Sequence, residues 1–184
     1  MIPAVILAAG AGRRMGGPKA LLVVEGETLL QRTIRTALAA GCQTVIAVVG
    51  DWDTGPLEPG TVVVRNPGAA EGMASSIRAG IAALPSTSSV ALLLAVDQPA
   101  LDADQLRRLL ALAAKDPDRP AACAYGGSLG IPAVLPRRLF QDLLGLHGDR
   151  GAKPILLREN AATLPFPGGE SDLDTPEDLS RIKR

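Results

Sequence analysis

Apolar residues along this chain fall into short unbroken runs, separated by segments in which only one face is apolar. The runs are AVILAA (4–9), TVIAVVG (44–50), TVVVR (61–65) and VALLLAV (90–96), with weaker ones at PAACAY (120–125) and PAVL (132–135). Strands buried on both faces read this way, and they belong to parallel sheets covered by helices. Between the runs the spacing becomes helical. Residues 28–40 carry Leu30, Ile34 and Leu38, residues 72–84 carry Met73, Ile77, Ile81 and Leu84, and residues 103–114 carry Leu106, Leu109, Leu110 and Ala113. Asp102 and Gln105 make a predicted capping pair at the start of the third helix. Thr175-Pro176-Glu177-Asp178 reads as a cap, a first-turn proline and acids, which predicts a last helix over 175–183. DWDTGPLEPG and LPSTSS are loops by composition. Alternating strands and helices predict an α/β architecture with right-handed crossovers. No repeat or dividing linker is visible, so residues 1–184 are expected to form one domain.

Composition narrows the function classes. With 47% hydrophobic residues the chain can bury a sizeable core, and with four aromatic residues (Trp52, Tyr125, Phe140, Phe166) that core is aliphatic. Stacking platforms for single-stranded nucleic acid need more aromatic rings than that. Nineteen basic and nineteen acidic residues cancel, which argues against nonspecific nucleic-acid or membrane binding. Affinity for phosphate must therefore be local. Cys42 and Cys123 match no metal-site spacing and read as reduced thiols. Residues 1–9 lack a basic n-region and run into a glycine loop, as a first strand does and a signal peptide does not. No apolar run reaches the ~18 residues of a membrane helix. A cytoplasmic protein is the expectation.

Open parallel sheets bind ligands at the carboxyl ends of their strands. The segments to inspect are the loop after the first strand, Gly50-Asp51, Asn66-Pro67, Asp97-Gln98-Pro99 and 126–131. The first of these, GAGRRMGGPKA (10–20), resists both familiar phosphate patterns. Gly10, Gly12 and Gly16 are one residue too widely spaced for a dinucleotide fingerprint, and the acid ending the second strand, Asp51, comes too late. Pro18 separates the glycines from Lys19, and Ala20 has no hydroxyl for a P-loop magnesium. The physics of anion binding remains. Glycines let backbone N–H groups approach phosphate oxygens, Arg14 offers a fork and Lys19 a mobile charge. Asp97, at the end of an apolar strand, is costly there unless paired or coordinated.

LAAGAGRRMGGPKALL resembles the signature L-A-A-G-x-G-x-R-M-G-x-P-K of nucleotidyltransferases, in particular of the MobA/MocA-like molybdenum cofactor family. Four later segments agree in order: NPGAAEGMASSIRAG (66–80), DQP (97–99), GIPAVLP with GDRGAKPIL (130–136, 148–156) and SDLDTPEDL (171–179). The resemblance implies a single-domain, Rossmann-like three-layer sandwich of the nucleotide-diphospho-sugar transferase type. Its mostly parallel sheet would carry helices on both faces. It implies transfer of a nucleotidyl group from CTP or GTP to the terminal phosphate of a pterin cofactor, with Mg2+ and with pyrophosphate as leaving group. A molybdoenzyme or its chaperone would be a partner.

Site roles follow from the same resemblance. Arg14 and Lys19 contact the triphosphate and, with Asp97, form the catalytic set. Leu7, Ala8, Ala9, Gly10 and Gly12 bind the nucleotide, the first four presenting backbone to the base, and Asn66, Gly72 and Ser76 serve base and ribose. Asp97 and Asp174 hold the metal, with Asp172 orienting or binding through water. Family members read L-A-A-G in cytidylyl and L-A-G-G in guanylyl enzymes, so Ala9 favours CTP. Asn66 also reads as the start of a turn before Pro67. YGGSLGIP offers flexible, uncharged backbone to a flat acceptor, and Arg150 or Lys153 could steer its phosphate. The phosphate acceptor, with a second pKa of about 6, is already ionised near neutrality and needs no general base. His147 in GLHGD reads as a surface residue, and Trp52 receives no role. Three other readings are a guanylyltransferase of the same cofactor, a sugar-phosphate nucleotidyltransferase, and a cofactor-binding chaperone without activity.

Overall fold

The computed structural model describes residues 2–12 and 16–170. Arg14, Asp172, Asp174 and the helix expected at 175–183 lie outside the described residues.

Four consecutive aliphatic runs form parallel neighbours. They are β1 (Pro3–Leu7), β4 (Thr44–Val49), β5 (Thr61–Arg65) and β6 (Val90–Ala95). The short β2 (Val23–Val24) and β3 (Glu27–Thr28) pair separately as an antiparallel ribbon. β7 (Ala121–Tyr125), β8 (Ser128–Pro136) and β9 (Ala162–Pro165) complete a seven-stranded sheet of order β5-β4-β1-β6-β8-β7-β9. β8 runs antiparallel to both β6 and β7, and β9 is parallel to β7.

The two-sided burial read from the sequence is visible residue by residue. Ala4 and Ile6 of β1, and Val45, Ala47 and Val49 of β4, enter one core with Leu30 and Ile34 of α1 (Leu29–Ala39) and with Leu106 and Leu109 of α3 (Ala103–Ala113). Val5, Ile46 and Val48 enter the other with Ile77 and Ile81 of α2 (Met73–Ala82), Leu143 of α4 (Phe140–Leu144) and Ile155 and Leu156 of α5 (Lys153–Arg158). Period-two alternation in the strands thus sorts side chains between two helix layers. The result is the three-layer, mostly parallel α/β sandwich.

Local signals explain the helix starts. Thr28, predicted as the first residue of a helix, is instead its cap: its hydroxyl accepts from the Gln31 N–H, and the Gln31 side chain accepts from the Thr28 N–H. Asp102 caps α3 by accepting from the Gln105 N–H at 2.7 Å. The reciprocal half of that predicted pair is not made, because the Gln105 amide donates to the Pro165 carbonyl on β9.

Three expectations need correction. TVVVR is an edge strand, with Val62 and Val63 nearly half exposed. An aliphatic run specifies a strand, but its place in the sheet decides whether both faces are covered. Met73 does not extend the core stripe of α2; it is 46% exposed and faces a cavity. YGGSLGIP is not a flexible loop. Only Gly126 and Gly127, both at positive φ, form a turn, and Ser128 already pairs with Tyr125 in a hairpin.

Candidate active site

Leu7 of β1 lies opposite Ala95 of β6 in a parallel register. The chain therefore leaves both strands at the same end of the sheet, the opening loop beside Val96 and Asp97. A cavity of about 390 Å³ sits there, within the range usual for small-molecule sites. It is lined by Leu7, Ala8, Ala9, Gly10, Gly12 and Lys19 on one side, Ala95, Val96 and Asp97 beside them, and Ala69, Gly72, Met73 and Ser76 from the start of α2, with Ile131 and Asp149.

The opening loop is shaped by Gly12. Its φ is +55°, and a Cβ there would stand 1.8 Å from the Gly17 carbonyl oxygen. Only glycine fits both the left-handed backbone and that contact. Gly10, by contrast, has open space around it, so its backbone faces the cavity unscreened. Lys19 begins a 3-10 turn over Lys19–Leu21. It donates from Nζ to Asp97 Oδ2 at 3.2 Å, with both side chains only about a quarter exposed. The lysine of the glycine loop and the acid just past β6 are thus already in contact.

Gln98 and Tyr125 hold the far wall. The Gln98 amide donates to the Ile131 carbonyl at 3.0 Å, and the Tyr125 hydroxyl donates to the same oxygen at 2.7 Å. The DQP turn is thereby tied to β8. Asn66 occupies a supporting position. Its amide donates to the hydroxyls of Ser75 and Ser76, and its oxygen accepts from the Gly68 N–H. It shapes the entry to α2, while Ser76 lines the cavity. Gly72, at φ +125°, lets the chain pass closely beside residues 148–149.

Of the expected site residues, the structure brings Leu7, Ala8, Ala9, Gly10, Gly12, Lys19, Gly72, Ser76 and Asp97 together. Arg14 and Asp174 lie outside the described residues. Arg150 and Lys153 are exposed and not among the lining residues. Met73, Ile131 and Asp149 also line the cavity, and although each falls in a segment singled out above, none of them received an individual site role from the sequence. The first resembled a core position, and the other two reach the cavity from distant parts of the chain. Cys42 and Cys123 are buried, and burial pushes both thiols up to about 11. Neither is a nucleophile near neutral pH.

The donor set suits magnesium carried largely by phosphate. Asp97 offers one carboxylate in the cavity, and among the described residues no group of three or more His, Cys, Asp or Glu side chains could form an all-protein cage. Magnesium commonly takes one or two carboxylates and completes its shell with phosphate oxygens and water.

Comparison with known proteins places these observations. No helix among the described residues is long and apolar enough to cross a membrane. The nicotine blue oxidoreductase of Paenarthrobacter nicotinovorans is 41% identical to this chain, over 100% of this chain and 94% of that protein. The molybdenum cofactor guanylyltransferase of Rhodobacter capsulatus is 33% identical, over 99% and 95%. The solved structure of Rv0371c from Mycobacterium tuberculosis superposes with a TM-score of 0.84 at 28% identity, covering 99% of this chain and 97% of that one. A manganese complex of Rv0371c superposes with a TM-score of 0.78 at 27% identity, covering 98% and 96%. Residues 4–163 match the model of the MobA-like NTP transferase domain. The chain belongs to that family of nucleotidyltransferases.

Proposed function

We infer that this protein transfers CMP from CTP to the terminal phosphate of a molybdopterin-type cofactor and releases pyrophosphate. The observation that carries this reading is the Lys19–Asp97 contact beside the exposed backbone of the glycine loop, at the carboxyl ends of two parallel strands. In the reaction an acceptor phosphate oxygen bonds to the α-phosphorus, and the bond from that phosphorus to the bridging oxygen breaks. The electron pair leaves with pyrophosphate. No side chain has to remove a proton, since the acceptor is already ionised near neutrality.

The chain's own residues position and neutralise. Backbone at Leu7–Gly10, with Gly72 and Ser76, receives the base and ribose. Gly12 keeps the loop concave toward the phosphates. Lys19 turns from Asp97 to the phosphate oxygens and, with Arg14, neutralises charge as it moves onto the leaving group; fixed charges of this kind act more strongly in a transition state than in the ground state. Asp97 and Asp174 are the carboxylates that would hold Mg2+, which polarises the phosphate oxygens when bound. The product is suited to hand-over to a molybdoenzyme or its chaperone.

CTP is favoured over GTP by Ala9, a residue of the cavity lining where glycine would leave more room for a purine. The guanylyltransferase name of the Rhodobacter relative makes GTP the competing donor. A redox reading has its own support in the oxidoreductase name of the 41% identical relative. Pyrophosphate release and oxidation of a reduced electron carrier, measured side by side, separate these readings. Pyrophosphate release is measured with CTP, GTP, UTP and ATP, each with molybdopterin cofactor and Mg2+. Turnover with CTP is the expected result. Turnover with GTP alone reverses the base assignment, and oxidation of a reduced electron carrier with no pyrophosphate from any donor replaces the transferase reading.

A further inference from the structure

Asp149 is a cavity residue to which the reaction just proposed gives no task. Hydrogen bonds tie its loop to the start of α2. Glu71 accepts hydrogen bonds from Arg78 at 2.8 Å and from the Gly148 N–H at 3.1 Å. Arg78 also donates to the Leu146 carbonyl at 2.7 Å, and the Ala74 N–H donates to the Gly148 carbonyl at 3.1 Å. The segment just before Asp149 is thus fastened to the beginning of α2. A Cβ built on Gly72 would stand 2.3 Å from Asp149 Oδ1, so the carboxylate lies directly against the entry to that helix. Among the described residues Asp149 accepts no hydrogen bond and forms no ion pair, and Lys19 donates to Asp97.

A carboxylate that only accepts hydrogen bonds is a selective group beside a nucleobase. The exocyclic amino group of cytosine donates to it, whereas uracil presents a carbonyl oxygen at the corresponding position. Two acceptors facing each other repel. Guanine also carries an amino group on its pairing edge. We propose that Asp149 is a specificity-determining residue that selects a nucleobase with an amino edge, cytosine foremost, and rejects uracil. This rests on reading the cavity as the triphosphate site with the base near Gly72. It adds a second selection step to Ala9. On that reading Ala9 limits the size of the base and Asp149 reads its edge.

The test is equilibrium binding of CTP, GTP and UTP, each with Mg2+, to the wild-type protein and to Asp149→Asn. The substitution is isosteric at an exposed position, and circular dichroism checks that the fold is retained. The wild type is expected to bind CTP about tenfold more tightly than UTP. In the variant the amide supplies a donor as well as an acceptor, so UTP binding strengthens, CTP binding weakens and the ratio falls to about threefold or less. A wild type that does not discriminate against UTP overturns the assignment. So does a variant with an unchanged ratio, or one that loses all three nucleotides equally, as a role in holding metal, phosphate or the loop would produce. A wild type that binds no triphosphate removes the reading of the cavity itself, and the assignment with it.

Discussion

Lys19 and Asp97 show how much one residue pair can carry. Lys19 closes the glycine loop that follows β1 and Asp97 lies just past β6, and burial of an isolated charge there is costly. They meet at 3.2 Å because β1 and β6 are adjacent and parallel. In the proposed reaction, replacing Lys19 by Ala removes a contact needed most when charge develops on the leaving phosphates. The expected loss in kcat/KM for pyrophosphate release is on the order of 10²–10³, with a smaller change in CTP affinity. A loss below about fivefold would show that the loop is not the catalytic cradle. These two residues were legible in the sequence because strand ends are where ligands collect in such sheets. Asp149 was not, since its place depends on a hydrogen bond between Glu71 and Gly148, 77 residues apart. Asn66 was half legible: its segment was recognised, but its three hydrogen bonds belong to the scaffold.

At the level of elements, α2 sets the distance between the sheet and the cavity wall. Gly80 is its point of closest approach, where a Cβ would lie 2.2 Å from Val5 Cγ1 and 3.1 Å from Val48 Cγ2. Both valines are fully buried and stiff at χ1. Gly80→Ala should therefore destabilise the protein by about 1–3 kcal/mol through overpacking, less up to about 1 kcal/mol of gained helix propensity. Urea denaturation measures it, and a variant as stable as the wild type would mean that α2 has slack against β1. Several elements leave no hydropathy signal. The β2–β3 ribbon is too short to leave a periodic signal, with two residues in each strand. β9 is an edge strand of alternating exposure whose partner, β7, is distant in sequence. TVVVR looked like an interior strand because apolar runs record the propensity to form a strand and not its rank in the sheet.

For the molecule as a whole, electrostatics predict an asymmetric pH response. Hydrogen bonding from Arg78 and then from the Gly148 N–H lowers the Glu71 carboxyl from 4.5 to about 2. Arg35 lowers Glu27, and Arg138 with Arg158 lowers Glu159. All three bind protons more tightly in the unfolded chain, so their stabilisation is complete above about 4.5 and declines as pH falls toward their folded values. The pairs are exposed and individually weak, and the expected signature is a Tm that is flat from about pH 7 to about pH 5.5 and falls below about 4.5. A Tm unchanged down to about pH 3 would count against it. The sequence by itself determined the layered α/β architecture, the glycine-rich loop after β1 and the two charges beside it, Lys19 in that loop and Asp97 past β6. Period-two and helical spacing, glycine placement and strand-end chemistry are local properties, and local properties are written along the chain. The tertiary structure alone decided which strands lie at the edges, that Asn66 supports rather than lines, and that Asp149 enters the cavity. Those depend on sheet order and on hydrogen bonds closed between distant segments, which no window of neighbouring residues records.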